Sequence, residues 1–169
     1  MQYFISRIPI ILNLALLAYI LGCLLGARHA KADDYTDVKT LAIKNGYSPS
    51  NDVIRAIVKA SRWYNINPLD LTAIGIIETG LGKYSLINKN RNSYDLGVFQ
   101  INSGNFQRCK AFDINTIEGN AMCAALILHN IRYNFSHKDN KWLGIYNSKK
   151  QKYKEKYFAK ISKILYTSE

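Results

Sequence analysis

The sequence predicts a mainly α-helical domain that carries a small irregular or β-like lobe between its helices. Apolar residues recur at helical spacing in several segments, which is the pattern of helices with a buried face. The region from residue 80 to residue 102 is instead rich in Gly, Asn and Ser and alternates only in part. With 169 residues, 48% of them hydrophobic, the chain can bury the core of one domain.

The first 32 residues are interpreted as a secretory signal peptide, which leaves residues 33–169 as the domain. A basic start precedes the apolar stretch Ile8–Leu25, and Ala30-Lys31-Ala32 fits the small-x-small rule for cleavage. Two alternatives stay open: an uncleaved anchor, since the apolar stretch is long enough to span a bilayer, or a lipoprotein attached at Cys23. We expect an exported, periplasmic protein, with a membrane-attached form as the alternative.

Three segments precede the lobe in chain order. Residues 33–47 are polar and form either a short helix or a lead-in. Residues 52–64 carry apolar side chains on one helical face, which predicts a helix of about three turns. The next helix begins at Asn67-Pro68, with Asn as its N-cap and Pro at its first position, and it ends at Gly80.

The lobe and the last helices follow. Residues 80–92 predict a loop or short hairpin, residues 94–102 an extended segment, and residues 103–112 a short helix. The stretch from residue 116 to about residue 133 is apolar on all sides, which is typical of a buried central helix. An amphipathic helix between residues 153 and 165 closes the chain. Its lysines indicate a solvated face, with attraction to an anionic polymer or a partner protein as the alternative.

Cys109 and Cys123 form an even pair once Cys23 leaves with the signal peptide. In an oxidising compartment such a pair predicts a disulfide, and two buried free thiols are the alternative. The bridge would contribute about 3 kcal/mol in the chain-entropy model. No metal site and no cofactor is expected, because the cysteines and histidines do not show ligand spacing.

Glu78 is the candidate chemical group. It stands at the end of the apolar run Ala73–Ile77, where a carboxylate costs free energy unless it is paired, protonated or used. An apolar setting raises the pKa of a glutamate and so keeps a proton available near neutral pH. The alternative is an ordinary exposed glutamate at a helix end.

Three motifs in order resemble a known family. Glu78-Thr79 ends a helix, the block Ser93-Tyr94-Asp95-Leu96-Gly97-Val98-Phe99-Gln100-Ile101-Asn102 follows, and Tyr146-Asn147 comes late in the chain. Together they resemble the SLT-type lytic transglycosylases of the lysozyme-like superfamily, over nearly the whole mature domain. The small size and the signal peptide are most similar to the specialised members of secretion, conjugation and pilus machines.

The resemblance implies a lysozyme-like fold with a substrate cleft between helices and lobe. It implies cleavage of the β-1,4 bond between N-acetylmuramic acid and N-acetylglucosamine in peptidoglycan. Glu78 would protonate the leaving oxygen and then take a proton from the C6 hydroxyl, giving a 1,6-anhydro product without water. The alternatives are a hydrolytic muramidase that uses Glu78 with Asp95, and a non-catalytic peptidoglycan-binding assembly protein.

Asp95 departs from the family pattern, because an Asp-x-Gly at this place is similar to animal-type lysozymes with a second carboxylate. It is either a catalytic stabiliser of an oxocarbenium-like state or a structural cap. The other matched residues are predicted to bind substrate, with bracing of the lobe as the alternative for the amides and a core position for the tyrosine. They are Thr79, Ser93, Gln100, Asn102, Tyr146 and Asn147.

The formal net charge of +11 favours an anionic partner. Nucleic acid is disfavoured, because an exported chain rarely meets it and no aromatic–basic recognition motif appears. The expected partners are peptidoglycan strands and components of a secretion, conjugation or pilus machine. We expect a monomer.

Overall fold

A computed structural model of the protein describes residues 33–166. The predicted signal peptide, and its alternatives as an anchor or as a chain lipidated at Cys23, lie outside these residues. Within them the fold has five α-helices and one three-stranded antiparallel sheet, which confirms the predicted mainly α, α+β class. None of the helices between residues 33 and 166 is both long and apolar enough to cross a membrane.

The helices begin where their capping residues predict. Ser50, Asn67 and Thr116 each accept a hydrogen bond from a backbone N–H in the first turn of the helix that follows. Gly80 ends the third helix in the left-handed conformation, with φ of 61°, which favours glycine. The helices are α1 (Asp33–Lys44), α2 (Asn51–Trp63), α3 (Pro68–Thr79), α4 (Ile117–Phe135) and α5 (Gln151–Tyr166).

The predicted lobe lies between α3 and α4 and contains the sheet. Its strands are β1 (Ile87–Lys89), β2 (Tyr94–Leu96) and β3 (Ile101–Asn102), in the order β1-β2-β3. β1 and β2 form the short hairpin, with Ile87 opposite Leu96. β2 pairs with β3 so that Asp95 lies opposite Asn102. This register places Asp95 and Asn102, two residues of the candidate site described below, side by side on neighbouring strands.

The predicted short helix over residues 103–112 is wrong. The segment holds only the 3-10 turn Ser103–Asn105 and a succession of turns. So short a helix is marginal without a continuous packed face, and here one buried residue fixes the segment instead. The side chain of Cys109 is fully buried and is covalently joined to Cys123 of α4.

The predicted disulfide is therefore confirmed. Cys109 and Cys123 are 14 positions apart and their Cα atoms are separated by 5.4 Å. Both residues are 0% exposed. The bridge fastens the end of the lobe to α4.

Helix α4 is the centre of the core. Most of its side chains between residues 119 and 128 are buried, α2 packs along it, and α5 packs on α3 and on the 3-10 helix Trp142–Tyr146. The central position agrees with the apolar pattern of the segment. One polar side chain, Asn120, interrupts this apolar surface and is only 1% exposed.

The amide of Asn120 fastens the lobe to α4. Its Oδ1 accepts a hydrogen bond from the backbone N–H of Phe99 at 2.9 Å, and its Nδ2 donates to the carbonyls of Leu96 at 2.8 Å and Ile114 at 3.3 Å. Gly97 adopts φ of +77°, and a Cβ there would lie 2.3 Å from the Asn120 Nδ2. The approach of the lobe to α4 therefore requires glycine at position 97.

We expect Asn120→Ala to lower the free energy of unfolding by about 2–4 kcal/mol, because it leaves a buried N–H and buried carbonyls without partners. Urea denaturation measures the loss. Asn134→Ala, on the exposed surface of the same helix, is the control and should change stability by at most about 0.5 kcal/mol. Equal effects of the two substitutions would contradict the role of Asn120.

Candidate active site

Glu78 lies in the last turn of α3, one residue before Thr79 ends the helix. The helix is buried almost throughout its second half, and Glu78 itself is half-buried. The phenol of Tyr157, from α5, donates a short hydrogen bond to Oε1 of Glu78. Tyr157 is itself 4% exposed. One oxygen of the carboxyl group is thus held by a rigid neighbour from a different helix.

Burial is the largest influence on Glu78 and raises the pKa of its carboxyl group above the ordinary value of 4.5. The hydrogen bond from Tyr157 lowers this pKa, the negative charge of Asp95 raises it, and the positive charge of Lys160 lowers it. Burial and Asp95 together outweigh the two opposing effects. A carboxyl group that keeps its proton to a higher pH is suited to general acid catalysis.

Asp95 stands on β2 of the lobe, its charge acts on Glu78, and amides orient its carboxylate. Asn90 Nδ2 donates to its Oδ2 at 2.8 Å, and Asn102 Nδ2 donates to its Oδ1 at 2.8 Å. Asn102 Nδ2 also lies 3.2 Å from Ser93 Oγ, and Asn102 Oδ1 accepts from the backbone N–H of Gly104 at 3.0 Å. The side chains of Ser93 and Asn102 therefore support Asp95 and the lobe.

Tyr146 and Gln100 both hydrogen-bond to the turn between β2 and β3. The Tyr146 phenol donates to the carbonyl of Phe99 at 3.0 Å. Burial raises the pKa of Tyr146 well above its ordinary value, and the charges of Glu78 and Asp95 raise it further, so the phenol stays a neutral donor. Gln100 has a left-handed backbone, with φ of 47°, and its Nε2 donates to Gly97 O at 2.9 Å. Such a conformation is strained for a residue other than glycine.

The predicted site residues fall into two groups. Glu78, Asp95 and Tyr146 are close enough to act on one another electrostatically. Thr79, in contrast, is 0% exposed and has no surface with which to contact a substrate. Its Oγ1 donates to Val98 O at 2.7 Å and accepts from the Gly82 N–H at 3.0 Å, which ties α3 to the lobe.

The last predicted residue, Asn147, is exposed and follows the 3-10 helix as its C-terminal cap. Among residues 33–166, no group of three or more His, Cys, Asp or Glu residues is placed to hold a metal ion.

Sequence reasoning missed Tyr157, Lys160 and Asn120. Tyr157 belongs to the apolar face of α5, and nothing in that periodicity distinguishes it from a core residue. Lys160 resembles the other lysines of the same helix. Asn120 did carry a signal, because a lone amide inside an apolar helix must find hydrogen-bond partners.

No protein-family model, curated protein or solved structure matches this chain. The resemblance of its motifs to lytic transglycosylases stays a prediction.

Because the pKa of Glu78 is raised, this group lowers the free energy of unfolding as the pH rises. The folded protein binds this proton more tightly than the unfolded chain, whose pKa is near 4.5. The group therefore stabilises the fold below that pH, and the contribution is lost as the pH rises through the folded pKa. We expect Glu78→Gln to be more stable than the wild type at neutral pH, with the gain shrinking toward about pH 4.

Urea denaturation of both proteins across this range measures the difference. Glu118→Gln is the control, since Glu118 is 58% exposed and pairs with Lys59 at the surface. A gain that does not depend on pH, or a gain of the same size in the control, would contradict the effect of burial.

Proposed function

We propose that this chain is a lytic transglycosylase that cleaves the bond between N-acetylmuramic acid and N-acetylglucosamine in peptidoglycan. The observation that carries the proposal is Glu78, a half-buried carboxyl group with a raised pKa that is held by Tyr157 and influenced by the charge of Asp95. The order of the three motifs supports it. The arrangement of a small lobe beside a helical body is compatible with a lysozyme-like fold and a cleft between the two.

The reaction requires one group that first gives and then takes a proton. Protonated Glu78 donates to the glycosidic oxygen, so the C1–O bond breaks and the N-acetylglucosamine side leaves as an alcohol. The C6 hydroxyl oxygen then bonds to C1, and the Glu78 carboxylate accepts the hydroxyl proton. The enzyme returns to its starting state, and the product is a 1,6-anhydro sugar. Acid–base and electrostatic terms suffice for this chemistry.

The biological setting belongs to the same proposal. An exported chain that acts on peptidoglycan would work in the periplasm, soluble or membrane-attached, as a monomer. Local opening of the wall would serve an envelope-spanning secretion, conjugation or pilus machine. Residues 33–169 hold 20 basic and 12 acidic residues, and their net charge of +8 suits an anionic polymer as substrate.

Glu78→Gln should reduce cleavage of purified peptidoglycan by about 10²–10⁴-fold, because the amide keeps the shape but donates no acidic proton. The release of soluble fragments measures the rate. Mass analysis of the wild-type products should show 1,6-anhydro ends. Glu118→Gln should retain full activity, since Glu118 lies on the surface and pairs with Lys59. Near-wild-type cleavage by folded Glu78→Gln protein would disprove the assignment, and binding without any product would indicate a non-catalytic assembly protein.

A hydrolytic muramidase is the second candidate, and Asp95 is the observation that favours it. Two amides orient its carboxylate, and its charge acts on Glu78. Sites that use an acid and a second carboxylate have such a pair of groups. A hydrolase would release reducing ends in place of anhydro ends.

Asp95→Asn should lower the rate by about 10²–10³-fold if the negative charge stabilises an oxocarbenium-like state. Its amide would also face the donors of Asn90 and Asn102, so the rate is to be expressed per folded molecule. Asp113→Asn, at an exposed carboxylate of the same lobe, is the control. Full activity of folded Asp95→Asn protein would leave Asp95 with a structural role only.

A further inference from the structure

A groove of about 860 Å³ runs between α1, the end of α3 and α5. Its size falls within the range of about 300–1,000 Å³ that is usual for ligand sites. Its apolar wall comes mainly from isoleucines on all three helices, among them Ile43, Ile77 and Ile164. Ile43 is 55% exposed. The helix packing described above does not explain why this apolar surface is left open.

The groove has one sign of charge. Lys44, Lys160 and Lys163 line it, and no carboxylate stands among the described residues that do so. Low-dielectric walls with charges of one sign raise the local concentration of oppositely charged ligands. The groove is therefore complementary to a ligand that is both apolar in part and negatively charged.

Two tyrosines form one end of the groove. Tyr47 and Tyr84 flank Gly80, where a Cβ would lie 2.7 Å from Tyr47 and 2.9 Å from Tyr84. The ammonium group of Lys83 lies 5.9 Å from the Tyr47 ring centre and 5.8 Å from the Tyr84 ring centre. These distances are within reach of cation–π attraction. Because Gly80 has no side chain, the rings of Tyr47 and Tyr84 can approach the backbone two residues after Glu78.

The groove lies directly beside the candidate acid. Ile77, which lines it, is the residue before Glu78. Lys160, which also lines it, acts electrostatically on Glu78, and it stands three positions after Tyr157 on α5. The groove and the candidate acid therefore share α3 and α5, and Lys160 belongs to the surroundings of both.

We propose that this groove binds the acidic peptide branch of peptidoglycan, with Lys44 and Lys160 as its specificity-determining charges. The inference rests on the proposed function and names the form of substrate that the site prefers. Muramic acid carries a lactyl group, which ends in a free carboxylate on bare strands and in a short peptide of alanine and acidic residues on substituted strands. The volume suits the peptide, since a lactyl group alone would leave most of the groove empty.

Binding of the peptide also acts on the chemistry. Lys160 lowers the pKa of Glu78 when no anion is present. A peptide carboxylate beside Lys160 offsets that positive charge, so Glu78 keeps its proton to a higher pH. Substituted strands would then be bound more tightly and also meet a better proton donor.

The experiment compares peptide-bearing strands with strands from which an amidase has removed the peptides. We expect wild-type protein to have a KM about tenfold lower on peptide-bearing strands. Lys44→Glu should reduce that difference, and the double variant Lys44→Glu/Lys160→Glu should remove it, because each exposed charge pair contributes a few-fold in affinity. Lys156→Glu is the control, since Lys156 is exposed on α5 and does not line the groove.

A second measurement separates this inference from the enzymatic assignment. The acidic peptide released by the amidase is titrated into Glu78→Gln protein, and binding is followed by calorimetry at low and high salt. Salt-sensitive binding that Lys44→Glu removes and Lys156→Glu keeps supports the groove, even if neither type of strand is cleaved. Absence of peptide binding overturns the inference. Equal KM values on both strands, with equal losses in the variants, assign the groove to the sugar chain and overturn it as well.

Discussion

The buried amide of Asn120 is the interaction on which the candidate site depends. It joins α4 to the backbone of Leu96 and Phe99, at the turn that carries the lobe. Thr79 holds the same turn from α3 through Val98, and the Tyr146 phenol holds it through Phe99. Three elements that are distant in sequence therefore converge on four consecutive residues. Because buried polar groups must be satisfied, these hydrogen bonds hold the turn in place, and with it the position of Asp95 relative to Glu78.

Helix α5 provides the opposite side of the site. Lys154 is 9% exposed, and its ammonium group lies 2.6 Å from the carboxylate of Asp139. The hydrogen bond from Lys154 is the main reason that the pKa of Asp139 is lowered. Tyr157 follows Lys154 by three positions, so both lie on the inner face of the helix. The ion pair holds α5 in one rotation about its own axis. In that orientation the Tyr157 phenol donates to Glu78, and Lys160 lines the groove.

Local chemistry explains what the sequence could predict. Asn67, Pro68 and Gly80 define α3 through capping and backbone preferences that act within a few residues, and the cysteine pair implied its bridge by count alone. Tyr157 could not be found this way, because its partner is 79 positions away and its periodicity is that of any core residue. The prediction of a helix after Asn102 was wrong for a related reason. The path of that segment is decided by the disulfide and by the burial of Cys109, and both are non-local. The shared positive charge of the groove was equally invisible, since Lys44 and Lys160 are far apart in sequence and line it together only in the folded chain.

Glu78 and Asp95 owe their different environments to the elements that carry them. Glu78 stands on an apolar helix, where burial disfavours its charged form more than Tyr157 and Lys160 favour it. Asp95 stands on a short strand of the lobe, where the Asn90 and Asn102 amides point donors at it. The two carboxyl groups therefore have unlike surroundings, one apolar and one polar, and such a difference is what separates the properties of two neighbouring carboxyl groups. This difference follows from the placement of a core helix against a hydrogen-bonded hairpin, and it would be lost if the Asn120 amide no longer held the two together.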